Sequence, residues 1–256
     1  MKARLGLLFI STLLLIPASA FAASAPTPIQ SHLSAGYQVT GAPGSITRIK
    51  GSFIVPNLDC SGGATTNVTI SVMLDGFGAT PDQMQAGIVA SCSGGVASYR
   101  DFVAMLPNLG KVKQPTLTIK AGDVMEVQGK WSSATHGWHA QIMDVSSGVT
   151  LPASAGSPKK FSPALDSGAF IVSVSGSTPL ANFGSVSMGQ QYTGVKQSCI
   201  LTSTGSHVIT IGSLGAMAGY TLNQLTLVDG GGSTMASAGA LTPDGSSFSV
   251  NWASSS

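Results

Sequence analysis

The chain has 256 residues, with 12 Lys and Arg against 10 Asp and Glu, and only 9% of its residues are charged. So balanced a charge, without a basic cluster, argues against a nucleic-acid or anionic-membrane surface. The length suits one large domain or two small ones.

Lys2 and Arg4 precede an apolar run from Leu5 to Ile16, followed by the small-residue triplets Ala18-Ser19-Ala20 and Ala20-Phe21-Ala22. This order reads as a secretory signal peptide over 1–22, so the mature chain is expected to be secreted or periplasmic. Its apolar run is shorter than the ~20 residues of a spanning helix, and no later stretch reaches that length. Removing the signal leaves 12 − 2 = 10 basic residues against 10 acidic ones. Residues 23–44, rich in Ala, Ser, Pro and Gly, read as a flexible leader, and 45–253 as one domain without a Pro-rich or charged linker.

Within 45–253, runs of alternating or β-branched residues predict strands at 46–55, 66–74, 82–90, 97–106, 115–119, 123–131, 137–145, 168–175, 207–212, 221–228 and 246–252. Turn residues separate them, among them Ser61-Gly62-Gly63, Ser93-Gly94-Gly95, Ala121-Gly122-Asp123 and Pro243-Asp244-Gly245. An all-β, two-sheet antiparallel sandwich is the economical packing of so many strands.

Three cysteines leave an odd one in an exported chain. Cys60 and Cys92 each open a Cys-Ser-Gly-Gly loop and are read as a disulfide, with Cys199 free or partly buried; the alternative is three buried thiols. His136 and His139 point to opposite faces of an extended segment. No Cys/His spacing indicates a metal, and no cofactor is expected.

The stretch Asp75-Gly-Phe-Gly-Ala-Thr-Pro-Asp-Gln-Met-Gln85-Ala-Gly-Ile88 resembles the glutamic peptidases (eqolisins), where an Asp-Gly pair precedes a glutamine by ten residues. Gly51-Ser-Phe-Ile-Val-Pro56 resembles that family's opening strand, and Ser98–Pro107 its aromatic, acidic strand. Ala121-Gly-Asp123 resembles its Gly-Asp turn, Pro179-Leu-Ala-Asn-Phe183 its Pro-Phe-Ala-x-Phe, and Asp244–Trp252 its closing strand. The likeness runs in order over roughly residues 46–252. It implies a lectin-like (concanavalin A-like) jelly roll holding substrate on a concave sheet face. It also implies that a glutamate and a glutamine activate water for attack on a peptide bond.

Gln85 matches the glutamine. The glutamate belongs at the end of a run like Ala-Glu-Phe-Ile-Ile-Glu, and the matching segment Gly168-Ala-Phe-Ile-Val-Ser173 ends in Ser173. Arg100, Phe102 and Ala104 stand where the family has an acid, a tryptophan and a glutamate. An amide cannot take and return a proton, so the resemblance implies an emptied active site with Asp75, Gln85, Arg100, Phe102 and Ser173 lining a groove. Glu126, the chain's only glutamate, is the alternative acid; strand alternation puts it on a polar face with Gln128 and Lys130. Asp101 is expected to face away from Arg100 and Phe102, and Asp166 to lie in a loop. Serine catalysis at 173 lacks the motif of an oriented base. Trp131 and Trp138 read as core partners across two strands, the alternative being a sugar-stacking surface.

The reading is a secreted, monomeric, non-catalytic homologue binding a peptide or protein ligand. Its alternatives are an acid endopeptidase using Gln85 with a displaced carboxylate, and a carbohydrate-binding or structural surface protein.

Overall fold

The computed structural model describes residues 25–77, 82–106, 110–111, 116–155, 162–174, 176–203 and 207–255. Seventeen strands follow in order: β1 (Thr27–Ser31), β2 (Ser34–Thr40), β3 (Ile46–Ile54), β4 (Thr66–Asp75), β5 (Gln83–Ser93), β6 (Val96–Leu106), β7 (Gly110–Lys111), β8 (Val124–Ser132), β9 (Gly137–Asp144), β10 (Val149–Ala155), β11 (Ser167–Ser173), β12 (Ser185–Gly189), β13 (Ile200–Ser203), β14 (Val208–Thr210), β15 (Thr221–Val228), β16 (Thr234–Ala238) and β17 (Ser247–Trp252). Two one-turn helices, α1 (Gln190–Thr193) and α2 (Ile211–Gly215), interrupt them.

The hydrogen-bonded ladder curls over on itself into a β-sandwich. The front layer runs β1-β15-β2-β11-β4-β5-β6, antiparallel except for β1 beside β15. The back layer centres on β3, β8, β9 and β10, with β13 and β12 also paired to β3. β16 and β17 carry the ladder from β15 round to β12.

Two-residue alternation sends one set of side chains from each layer into a common core. The front layer supplies Tyr37, Ile70, Val72, Leu74, Met84, Ile88, Val103 and Phe170, and the back layer Ile49, Phe53, Met125, Val127, Trp138 and Ile142. Gly129 shows how closely the layers meet: a Cβ there would sit 1.6 Å from Met84 Cε. Cys60 and Cys92 form a disulfide that ties the loop before β4 to the end of β5, and Cys199 is a free, buried thiol.

Several expectations need correction. Residues 23–44 are not a loose leader where described: β2 lies between β15 and β11, with Ala35, Tyr37 and Val39 fully buried. Its Ala-x-Tyr-x-Val alternation is a strand pattern that small flanking residues disguise. Residues 116–119 join no ladder, although Leu117 and Ile119 are buried. The run at 207–212 splits into β14 and α2, whose N-cap Thr210 accepts from the Ser213 N–H. Strands β1, β2, β7, β10, β12, β13 and β16 fall outside the runs that the sequence pattern marks. Residues 1–22 lie outside the described residues, and among those described no helix is long and apolar enough to cross a membrane.

Candidate functional site

The outward face of the front layer is organised into three rows of directly opposed residues. The first is Gln38-Ala169-Met73-Gln85-Ala104, running from β2 through β11, β4 and β5 to β6. The second is Gly36-Ile171-Ser71-Gly87-Phe102, and the third Ser34-Ser173-Thr69-Val89-Arg100. Gln85, Phe102, Arg100 and Ser173 therefore share one face, and Gln85 Nε2 donates to Ser71 Oγ at 2.9 Å.

The register does not bring Ser173 to Gln85. Ser173 is two rows away, four residues along its strand, which at about 3.3 Å per residue is roughly 13 Å. The residue level with Gln85 on β11 is Ala169, separated from it by Met73 alone. Apolar patches flank Gln85: Met73, Ala169, Ile171 and Leu225 with Phe77 on one side, and Val89, Phe102 and Ala104 on the other. Arg100 is exposed at the edge.

Asp75 does not line this surface. It ends β4 with a φ of 67°, in the left-handed region an aspartate tolerates, and is 0% exposed. Its Oδ2 accepts from the Leu165 N–H at 2.9 Å, which turns the carboxyl toward Asp166, also buried. Burial pushes the Asp75 carboxyl up to about 6; the bond from Leu165 opposes this, and the neighbouring Asp166 reinforces it. Asp75 Oδ1 and Asp166 Oδ1 are both buried without a donor, a need that one shared proton would meet.

Glu126 lies on the other side of the molecule. Its strand neighbours Met125 and Val127 enter the core from the back layer, so Glu126 points outward there and forms an ion pair with Lys50 at 3.1 Å. The layers alone set it about 10 Å or more from Gln85's face. Asp101 turns inward from Arg100 and Phe102 and accepts from the Leu117 N–H at 2.8 Å. Trp138 is 0% exposed and meets Trp131 edge-on, centroids 5.0 Å apart, so this pair packs in the core rather than presenting a stacking surface. Among the described residues no group of three His, Cys, Asp or Glu side chains could hold a metal ion. The Asp75–Asp166 pair is what sequence reasoning missed, because 91 positions separate two residues that only the β4–β11 pairing brings together.

The molecule is a two-layer β-sandwich presenting a glutamine amide on the outward face of one layer. Residues 32–234 match the Peptidase A4 family, and the chain belongs to it. Among solved structures, scytalido-glutamic peptidase with a transition-state analogue inhibitor aligns with a TM-score of 0.66 at 14% identity, over 87% of this chain and 99% of that one. SCP-B, an eqolisin in complex with the tripeptide Ala-Ile-His, aligns at 0.63 and 14% identity, over 86% and 100%. Aspergilloglutamic peptidase from Aspergillus niger aligns at 0.57 and 18% identity, over 73% and 99%. Comparison with curated protein sequences gave no match.

Proposed function

We propose that this protein is an exported, non-catalytic member of the peptidase A4 family that binds an extended peptide across the outward face of its front layer. The observation that carries the reading is what surrounds Gln85. Met73, Ala169 and Ala104 share its row and Ser71 accepts its hydrogen bond, and none of the four is a carboxylate. Water activation in the family's manner needs a proton acceptor beside the amide. Both glutamates of the Ala-Glu-Phe-Ile-Ile-Glu run are replaced, the first by Ala169 and the second by Ser173. The substitution at 169 supports this reading most, because Ala169 is the residue of β11 level with Gln85. The second reading, an acid endopeptidase with a displaced carboxylate, would have to draw on the Asp75–Asp166 pair, which is sealed from solvent, or on Glu126, which is engaged behind the other layer.

The remaining chemistry suits binding. The apolar patches on either side of Gln85 offer seats for alternate side chains of an extended chain, and Arg100 offers a charge-assisted contact for a carboxylate. Glutamic peptidases of this fold hold a tripeptide or a peptide-based transition-state analogue, which supports peptide as the ligand class. Calorimetric titration with short apolar peptides bearing a free C-terminal carboxylate tests this. Phe102→Asp and Arg100→Gln are each expected to weaken binding about tenfold, or roughly 1.4 kcal/mol, with the peptide recovered intact. A folded protein that binds no such peptide, or binds it equally well in both variants, contradicts the reading.

A further inference from the structure

The outward face of the back layer carries a cationic row that the peptide-binding reading does not use. Arg48 on β3 is directly opposite Lys130 on β8, which is directly opposite His139 on β9. Like charges opposed on neighbouring strands destabilise a sheet, so this arrangement has a cost unless a counter-charge meets it. The next row along is Lys50-Gln128-Gln141, and one step further lies Glu126. Glu126 is committed to Lys50 at 3.1 Å. Among the described residues no carboxylate stands within ion-pair distance of Arg48 or Lys130, and both are exposed. Summing Arg48, Lys50 and Lys130 against Glu126 gives 3 − 1 = +2 on this face.

The row also has a shape. Arg48, Lys130, His139, Gln128, Gln141 and Pro152 ring a depression of about 200 Å³ floored by Gly129 and Ala140. Arg48 Nη2 donates to Gln128 Oε1 at 2.7 Å, and Gln128 Nε2 donates in turn to Gln141 Oε1, so the guanidinium is braced over the depression. The Gln141 amide nitrogen is left as a donor beside the cations. Neighbouring strands are about 4.8 Å apart, which sets the backbone spacing of Arg48 and Lys130.

We propose that this depression binds an acidic oligosaccharide, its carboxylates or sulfates on the Arg48-Lys130 pair and its hydroxyls on the amide row. The mixture of cations with neutral amides fits a ligand whose anionic groups alternate with hydroxyls. Single-stranded nucleic acid would call for exposed aromatic platforms, whereas Trp138 of β9 is fully buried and the partly buried Trp131 of β8 packs edge-on against it.

The test is titration of the purified chain with a uronate oligomer, a sulfated oligomer of equal length and a neutral one, comparing Arg48→Gln/Lys130→Gln with Lys120→Gln as an exposed control on a turn away from the face. Circular dichroism would verify that each variant is folded. The expected result is binding of one or both acidic oligomers and not of the neutral one, at least tenfold weaker in the double variant and unchanged in Lys120→Gln. The uronate and sulfated arms identify which anionic group is taken. Absence of binding by the unaltered chain, equal weakening by Lys120→Gln, or tighter binding to single-stranded DNA or phosphatidylserine vesicles would overturn the proposal.

Discussion

Asp75 is the residue where sequence and environment disagree most. Its folded carboxyl titrates near 6, above an ordinary aspartate value of 3.8, chiefly because burial penalises the charge. A carboxyl whose pKa is raised by folding contributes stability that is fully present below the unfolded value and is lost as pH rises through the folded one. Stability is therefore predicted to fall between about pH 4 and pH 6, by on the order of 2–3 kcal/mol. Asp75→Asn keeps a neutral donor toward Asp166, so it should flatten that decline and be more stable than the parent at pH 7. Urea unfolding at pH 4 and pH 7 checks both statements, and a parent protein equally stable at the two would refute them. Gln85 is different in kind: it makes one half-exposed bond to Ser71, so Gln85→Ala should cost about 1 kcal/mol or less of stability. Thermal unfolding of that variant provides the measurement.

At the scale of elements, β2 carries the main lesson. The Ser, Gly and Pro around it read as a linker, yet Tyr37 is wholly buried, packs edge-on against Phe248 at 4.8 Å and donates to Gly239 O at 2.8 Å. Tyr37→Ala is predicted to cost about 3–5 kcal/mol, read from denaturant midpoints, whereas an equal loss in a true leader would cost nothing. That Arg100 and Phe102 share one face was legible in advance, because alternation along a strand fixes which residues point together; that Gln85 joins them came only as what the family resemblance implied. The rows were not legible. They depend on the register of β11 against β4, whose partners Ala169 and Met73 are 96 positions apart, and slipping one residue would invert the face. Short strands such as β12 and β13 escaped notice for a related reason. Runs of four or five residues hold too few alternations to stand out, and their pairing to β3 comes from distant chain.

The whole molecule is a sandwich whose layers have different outward faces, one apolar around an amide and one cationic. The disulfide fastens the β4–β5 hairpin that presents Gln85. Closing a loop of 32 residues restricts the unfolded chain by about 4 kcal/mol in the entropic account. Reduction, or Cys60→Ala/Cys92→Ala, should accordingly lower the unfolding midpoint by an amount equivalent to about 2–4 kcal/mol, measurable by scanning calorimetry with and without reductant. The pairing was legible in two matching Cys-Ser-Gly-Gly loop sequences, and the fold family in six short motifs in order. What the motifs did not convey is where each catalytic position sits relative to the others, since that is a property of the assembled sheet.

The central claim of the proposed function is that, among the described residues, no carboxylate stands beside Gln85. Incubating the purified chain with denatured protein substrates across roughly pH 2–7, with Gln85→Ala alongside, tests it most directly. The account predicts no cleavage above background by the folded protein at any pH. Acid-dependent cleavage that Gln85→Ala abolishes would contradict it and would establish a working catalyst on this face.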